Sequence, residues 1–168
     1  IIGENVPDVS KRKYLISMPD KALLTGKYQA MDIEMMQTYL VNSNPGIERR
    51  IRQQKNGNDY LYFYTEKHIG EDGAKWVTER PISEKEYIAY LMECDAGLHP
   101  VIKKKFRFNH FGHRLEIDIY PFSDEKAILF VYGAKEGDPV LPEELTVLKD
   151  VTGNLEYKNR CLAGRQQL

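Results

Sequence analysis

The segment from Glu48 to Lys67, ERRIRQQKNGNDYLYFYTEK, constrains the fold more than any other part of the sequence. Its centre carries Asn56-Gly57, a dipeptide typical of a tight hairpin turn in which two residues need a positive φ. Arg50 and Arg52 lie two residues apart on the first arm, so their side chains project from one face of a strand. The segment therefore predicts a β-hairpin with two guanidinium groups on one face, which need an anion, a carboxylate partner or water.

Alternating segments recur along the chain, whereas few segments have the pattern of a helix. With the two arms of the hairpin, they predict about eight strands: 11–17, 31–41, 74–82, 99–109, 113–120 and 126–132. The clearest helix is 83–94, where Ser83 and Glu86 form a capping box, and shorter helices are expected at 20–26 and 143–149. Mainly hairpin connections favour an α+β fold, a closed or nearly closed eight-stranded antiparallel β-barrel with helices packed outside.

Charged side chains repeat at every second position on four of the predicted strands. Because alternate positions of a strand project from one face, each set lies on one side of the sheet. The cations lie on the first, third and sixth predicted strands, and the seventh carries two carboxylates. The residues are Lys11 and Lys13; Arg50 and Arg52; Lys103, Lys105 and Arg107; and Glu116 and Asp118. Their concentration on separated strands predicts a polar channel inside the barrel.

The composition excludes several classes of function. The chain has 168 residues, 42% of them hydrophobic, so one domain with a substantial core is expected. The formal net charge of -1 argues against a general binder of nucleic acid or membrane surfaces. The sequence has neither an apolar run long enough to cross a membrane nor the pattern of a signal peptide. Cys94 and Cys161 lack the spacing of metal ligands, and we expect reduced, structural thiols in the cytoplasm.

Four stretches carry a resemblance to a known family. They are KRKYLI at 11–16, RIR at 50–52, LEIDIY at 115–120 and DVTGNLEYKNRCLA at 150–163. In this order and spacing, they resemble the CYTH domain, the fold of the triphosphate tunnel metalloenzymes. The last stretch is the most specific, because it is similar to the closing segment VTGDxRYxNxxLA of that family. The resemblance covers about residues 10–163 and implies a tunnel-shaped antiparallel barrel.

Within this superfamily, the chain is most similar to CYTH domains that follow an N-terminal P-loop NTPase-like domain. The KRK opening, the Tyr-rich return arm of the hairpin and the ISEKEY stretch at 82–87 carry this likeness. The sequence begins without a Met and reads like a linker, so we expect a domain from a longer parent chain. The expected organisation is a linker at 1–8 after an upstream NTPase-like domain, a CYTH-like domain at 9–164 and a tail at 165–168.

The resemblance implies that much of the family's metal site is missing. In active members, an E-x-E-x-K motif on the first strand helps hold divalent metal, and the matching positions here are Val9, Lys11 and Lys13. A second pair of glutamates on a late strand is matched by Phe130 and Tyr132. Because Mg²⁺ needs oxygen ligands in near-octahedral geometry, we expect catalysis to be weak or absent.

The resemblance also implies which residues contact a ligand. The expected phosphate-binding residues are Lys11, Lys13, Arg50, Arg52, Lys103 and Lys105. The expected tunnel lining is Tyr62, Tyr64, Glu79 and Arg107. Glu116 and Asp118 either anchor one Mg²⁺ or Mn²⁺ ion or pair with neighbouring cations, namely Lys103, Lys105 and Arg50. Since Arg makes bidentate contacts to phosphate and Lys supplies positive charge, the retained cations can hold a phosphate chain.

We therefore expect a binding module for a phosphorylated polyanion, such as a nucleotide, a triphosphate or a phosphoinositide headgroup. The alternative is an active triphosphatase that depends on Mg²⁺ or Mn²⁺. A third reading is a scaffold whose tunnel is filled by its own ion pairs. The enzyme would bind divalent metal and turn over its substrate, whereas the binding module would bind its ligand without metal or turnover. The scaffold would not respond to any ligand.

Overall fold

The computed structural model of the chain describes residues 4–7, 11–134, 138–162 and 168. Within them the chain forms ten strands, three α-helices and one 3₁₀ turn. The strands are β1 (Glu4–Pro7), β2 (Lys11–Ser17), β3 (Met31–Tyr39), β4 (Ile47–Asn56), β5 (Asp59–Ile69), β6 (Lys75–Ile82), β7 (Val101–His110), β8 (His113–Ile119), β9 (Lys126–Tyr132) and β10 (Val147–Asp150). The helices are α1 (Lys21–Gly26), α2 (Glu84–Leu91) and α3 (Asn159–Leu162), and the 3₁₀ turn is η1 (Leu155–Tyr157).

Some predicted features lie outside the described residues. These are Val9, the remainder of the predicted linker at 1–3 and 8, the middle of the predicted loop at 135–137, the last residue of the family-like closing stretch, Ala163, and the tail at 165–167. Residues 4–7 of the predicted linker form β1, which pairs antiparallel with β6.

The chain divides into two compact units. The first contains β1 and Met35–Val101, and its strand order is β1-β6-β5-β4-β3. The second contains the described parts of 11–34 and 102–162, and its order is β3-β7-β8-β9-β2-β10. Strand β3 thus contributes its first residues to the second unit and its remaining residues to the first.

The predicted antiparallel α+β class is confirmed, but the predicted closed barrel of eight strands is wrong. The strand order ends at β1 in the first unit and at β10 in the second, so the described strands form an open sheet. The two strands absent from the prediction are these edge strands, which have only four residues each. Four residues carry too little alternation to be recognised, and β10 replaces the end of the helix expected at 143–149.

The predicted hairpin is present as β4 and β5. Asn56 pairs with Asp59, which leaves Gly57 and Asn58 as the two-residue turn. Of these turn residues only Gly57 has a positive φ, at 62°. The expectation of two positive φ angles is therefore wrong, and the turn has the φ pattern of a II′ turn, in which glycine at the first position suffices.

Helix α2 begins where the capping box predicted. The Ser83 side chain accepts from the Glu86 backbone N–H, and the Glu86 carboxylate accepts from the Ser83 backbone N–H. The buried face of the helix is Tyr87, which packs in one apolar cluster with Ile51 and Ile82 of the first unit. Since the cap satisfies otherwise orphaned backbone groups, it stabilises the helix start by about 1 kcal/mol.

The core of the second unit lies on one face of its sheet. Alternate residues of β2, β7, β8 and β9 form this face, and the side chains are fully or nearly buried. They include Tyr14, Ile16, Phe106, Phe108, Leu115, Ile117, Leu129 and Val131. Helix α1 covers this face through Leu24, and Asp20 caps the helix by accepting from the Ala22 backbone N–H at 2.9 Å. The positions between these apolar residues, which include Lys13, Lys105 and Glu116, lie on the other face.

None of the described helices has the length and apolarity of a membrane-spanning segment. Cys94 and Cys161 are free thiols, and both are exposed.

Candidate functional site

Strand register aligns four strands of the second unit so that charged residues from three of them, with Phe130 from the fourth, lie in one row. Lys13 of β2 pairs with Phe130 of β9, Phe130 pairs with Glu116 of β8, and Glu116 pairs with Arg107 of β7. Directly opposed residues project to the same face, and their Cβ atoms lie about 4.5–5.5 Å apart. The face opposite the apolar core is therefore a polar face, built by residues far apart in the sequence.

The solvent exposure of the side chains on the polar face decreases along the strands. In the row beside Lys13, Tyr132 pairs with both Lys11 and Arg114, and the Arg114 side chain is 50% exposed. In the row on the other side, Lys105 pairs with Asp118, which is 0% exposed. Lys11 and Arg114 thus mark the solvent-facing end of the polar face, and Asp118 lies at its depth.

Both carboxylates of the polar face form ion pairs. Lys103 Nζ lies 2.7 Å from Asp118 Oδ2. Lys105 Nζ lies 2.8 Å from Glu116 Oε1 and 3.2 Å from Asp118 Oδ1, so it bridges the two. Arg107 Nε lies 2.6 Å from Glu116 Oε2. The pairing of Glu116 and Asp118 with Lys103 and Lys105, one of the two expected arrangements, is thus observed.

The ionised forms of these groups stabilise one another. Burial opposes ionisation of Glu116, but the charges of Lys105 and Arg107 outweigh it and lower the pKa of the carboxyl. Burial likewise disfavours the Asp118 carboxylate, yet Lys103 and Lys105 lower its pKa. The Lys105 ammonium is also disfavoured by burial, while Asp118 and Glu116 together raise its pKa. These three groups are therefore charged at neutral pH.

Lys13 differs from the paired lysines. Its ammonium donates to the backbone carbonyl of Tyr157, and it makes no ion pair with any carboxylate in the described part of the chain. Burial, followed by the charges of Lys11 and Lys103, lowers the pKa of Lys13 to about 8. Lys13 therefore lies in an environment with an excess of positive charge.

The Phe130 ring is the common contact of three lysines. The ammonium nitrogens of Lys11, Lys13 and Lys105 lie 5.2, 5.1 and 5.6 Å from the ring centroid. At this range the negative face of an aromatic ring attracts a cation. From the sequence, Phe130 was identified only as a position where a metal ligand is missing. Its contacts with the lysines depend on the pairing of β9 with β2 and β8, which the sequence of one strand does not determine.

The donor set does not fit a cage for Mg²⁺ or Mn²⁺. Such ions take about six oxygen ligands, usually carboxylates, waters and substrate phosphates. The oxygens of Glu116 and Asp118 already face four cations, and the neighbouring position holds the Phe130 ring. Within residues 4–7, 11–134, 138–162 and 168, no group of three or more His, Cys, Asp or Glu side chains is placed to hold a metal.

The arginines of the hairpin have carboxylate partners inside the first unit. Arg50 Nη1 lies 3.3 Å from Glu48 Oε1, and Arg52 Nη2 lies 3.3 Å from Glu79 Oε1. Thr65 Oγ1 donates to Glu79 Oε2 at 2.9 Å, and the Arg52 guanidinium lies 4.5 Å from the centroid of the Phe63 ring. Glu79 therefore shares a face with Arg52, and Arg107 lies on the polar face of the second unit; a tunnel-lining role for either residue stays a prediction.

The predicted lining role of Tyr62 and Tyr64 is wrong. Tyr64 pairs with Ile51, whereas Arg52 pairs with Phe63, so the tyrosines project from the face opposite to the arginines. They pack on α2 instead: Tyr64 stacks on Tyr90 with centroids 4.8 Å apart, and Tyr62 lies 4.9 Å from Tyr87. Counting outward from a two-residue turn at Gly57 and Asn58 would have given this register from the sequence.

The Tyr64 hydroxyl is held by charged neighbours on that face. It donates to Glu66 at 2.6 Å and accepts from Arg49 Nε at 2.8 Å. Burial, then the hydrogen bond to Glu66, raises the pKa of Tyr64 to about 12. This hydroxyl stays protonated at neutral pH and links β4 and β5, while the Tyr64 ring packs on Tyr90 of α2.

Comparison with known proteins supports the fold. No family model matches the chain, and no curated protein matches it. Among solved structures, the chain is similar to the inorganic triphosphatase NE1496, with a TM-score of 0.56 and 21% identity over 92% of this chain and 93% of that chain. It is also similar to a candidate adenylate cyclase from Bacillus halodurans, with a TM-score of 0.52 and 12% identity over 78% of this chain and 82% of that chain. At such identities the likeness shows the fold alone, and this fold agrees with the CYTH-like fold that the sequence predicted.

Proposed function

We propose that the polar face of the second unit binds a phosphorylated polyanion, such as a nucleotide, a triphosphate or a phosphoinositide headgroup, without a metal ion. The observation that carries this proposal is the excess of cations on that face. Among the described residues, it presents at least six cations near the carboxylates of Glu116 and Asp118: Lys11, Lys13, Lys103, Lys105, Arg107 and Arg114. A multiply charged anion would balance the remaining positive charge.

Lys13 supports the same conclusion. Its lowered pKa means that the free protein holds this ammonium at a cost, because burial and Lys11 disfavour its charge. A phosphate oxygen near Lys13 would remove that cost, since an opposite charge favours the protonated form. The side-chain ammonium groups would then make charge-assisted hydrogen bonds to the phosphates, which are about twice as strong as neutral ones.

Binding without turnover is favoured over the triphosphatase alternative. One structural neighbour is named an inorganic triphosphatase, and that name supports a phosphate-chain ligand for this fold. Phosphoryl transfer, however, relies on metal ions and cations that neutralise the developing charge. Here Glu116 and Asp118 are paired with lysines, and Phe130 offers no oxygen.

Arg50 and Arg52 remain predicted anion-binding residues. They belong to the first unit and have carboxylate partners there, so their contribution is tested by their own substitutions. An upstream NTPase-like domain and a cytoplasmic location also remain predictions, which rest on the resemblance and on the composition.

A thermal-shift titration tests the proposed function. ATP, GTP, tripolyphosphate and pyrophosphate are each added in EDTA, in Mg²⁺ and in Mn²⁺. A ligand that binds the native state at 100 times its Kd stabilises it by about 2.7 kcal/mol, so the midpoint rises. We expect a rise in EDTA that weakens in Lys11→Met but not in the control Lys21→Met, because both lysines are exposed and only Lys11 is on the polar face.

Two outcomes would overturn this proposal. A shift that requires Mg²⁺ or Mn²⁺ and is accompanied by phosphate release would establish the enzyme. The absence of a shift with every ligand would favour the scaffold, in which the charges only serve the fold.

A further inference from the structure

The Phe130 side chain occupies a position at which a charged group would be expected. It lies between Lys13 and Glu116 in the strand register, and it is 5% exposed. Three ammonium groups lie within 5.6 Å of its ring centroid, as described above. An apolar side chain at the centre of a charged cluster needs a physical reason.

We propose that Phe130 positions the lysines of the polar face without cancelling their charge, so that the site prefers a metal-free polyphosphate to the Mg²⁺ complex of the same ligand. This inference rests on the proposed function and deepens it. It assigns Phe130 a specificity-determining role, and it names the ionic form of the ligand.

The two ways of holding a lysine on this face differ in their effect on charge. Asp118 and Glu116 hold Lys103 and Lys105 as ion pairs, which neutralises them. The ring face attracts Lys13 through its quadrupole, which carries no net charge, so the Lys13 ammonium keeps its full attraction for an anion. The ring therefore concentrates positive charge where a carboxylate would remove it.

The preference for the free ligand follows from the same charges. Mg²⁺ bound to a polyphosphate cancels two of its negative charges and presents a cation to the site. On the described polar face, that ion would approach the lysines around Phe130 while Glu116 and Asp118 are already paired. Like charges brought together in a partly buried site repel strongly, so the complex binds less tightly.

Substitution of Phe130 tests this role. Tripolyphosphate is titrated calorimetrically into the wild type, Phe130→Tyr, Phe130→Leu and Phe130→Glu, in EDTA and in saturating Mg²⁺. We expect tighter binding in EDTA for the wild type, little change in Phe130→Tyr, and a roughly tenfold loss in Phe130→Leu, because the ring contacts are removed. Phe130→Glu neutralises the lysines and loses binding in EDTA.

The matched control is Phe108→Leu. Phe108 is also 5% exposed and belongs to the same unit, but it lies in the apolar core on the opposite face. We expect this variant to lower the melting temperature while it leaves the affinity unchanged. A second readout is the pKa of Lys13, followed by ¹³C NMR of its ε-carbon without ligand, which should fall further in Phe130→Leu.

The outcomes separate the inference from the proposed function. If the wild type binds tripolyphosphate in EDTA and Phe130→Leu binds equally well, or if the wild type prefers the Mg²⁺ complex, the inference is overturned. If the wild type does not bind tripolyphosphate at all, the proposed function fails. Independently of ligand binding, an unchanged Lys13 pKa in Phe130→Leu would refute the positioning role of Phe130.

Discussion

Lys13 and Lys105 lie on the same polar face, yet their ammonium groups have opposite electrostatic environments. Both are disfavoured by burial, but Asp118 and Glu116 raise the pKa of Lys105, whereas Lys11 and Lys103 help to lower that of Lys13 to about 8. The positive charge of Lys105 is thus balanced by nearby carboxylates, whereas that of Lys13 is not. An anion that binds beside Lys13 therefore gains more electrostatic free energy than one beside Lys105.

Polyphosphate affinity should therefore fall as the pH rises through about 8, the pKa of Lys13 in the free protein. Below this pH, Lys13 is already protonated; above it, the ligand must bind together with a proton. Calorimetry in buffers of different ionisation enthalpy measures both the affinity and the proton uptake. In Lys13→Arg the guanidinium stays charged, so the pH dependence should disappear, and a wild-type affinity that is constant from pH 7 to 9.5 would refute this account.

Removing one partner of the buried ion pairs should be strongly destabilising. Asp118→Asn removes the buried negative charge that lies 2.7 Å from the Lys103 ammonium, and we expect a loss of about 3–5 kcal/mol in urea unfolding. The control is Asp32→Asn, which breaks the pair with Lys104 at 3.0 Å, where the side chains are 41% and 37% exposed. That loss should stay below about 1 kcal/mol. Equal losses in the two variants would contradict the buried pairing.

At the scale of the element, the β4–β5 hairpin places its arginines and tyrosines on opposite faces. Its register follows from the closing pair of Asn56 and Asp59, which sets Arg52 against Phe63. The turn residue Gly57 adopts a φ of 62°, a region that side chains with a Cβ rarely occupy. The turn thus determines which face carries the guanidinium groups.

Gly57→Ala should cost roughly 1–2 kcal/mol, because alanine in the left-handed region brings its Cβ close to the following carbonyl. No atom lies within 4 Å of the position that its Cβ would take, so the effect isolates the backbone strain. The control is Gly26→Ala at the end of α1, where space is equally open and φ is not positive. We expect no loss of stability there, as measured by thermal unfolding, and a similar loss in both variants would contradict the turn geometry.

The elements were predictable where alternation or a cap is strong. The capping box of α2 and the alternation of β2, β7 and β8 appear in the sequence because their apolar and polar faces differ. The edge strand β10 was not predictable, since Val147 and Leu148 are both partly exposed and show no alternation. The face of Tyr64 was missed because the side chain was assigned by residue type rather than by the hairpin register.

At the scale of the whole molecule, the sequence identified the charged residues but not their partners. Four lysines and two arginines were predicted as a cluster, and the structure places the lysines in the second unit and the arginines in the first: Lys11, Lys13, Lys103 and Lys105, and Arg50 and Arg52. The role of Phe130 depends on the pairing of β9 with both β2 and β8, which is long-range information. The closed barrel was predicted from strand number, whereas the described strands are open at β1 and β10.

The stability of the folded chain should fall in acid. Glu116 and Asp118 have a lower pKa in the folded protein than the unperturbed values of 4.5 and 3.8, so the unfolded state binds protons first. The two carboxylates contribute fully to the free energy of unfolding at a pH above their unfolded-state pKa values. This contribution is lost as the pH falls through their lower folded-state pKa values. Melting temperatures between pH 7 and pH 2 should show this loss, and Glu116→Gln should have a shallower dependence. An equally steep curve in that variant would refute the assignment.

The central claim is that lysines of β2 and β7 bind a polyphosphate without metal. The most direct measurement is a titration of tripolyphosphate, in EDTA, followed by NMR of the lysine ε-CH₂ groups, each assigned by single substitution. We predict that the signals of Lys11, Lys13, Lys103 and Lys105 shift and saturate together, while those of Lys21 on α1 and Lys85 on α2, which are exposed and outside the polar face, do not. Shifts spread equally over all lysines, or none on the polar face, would contradict the claim.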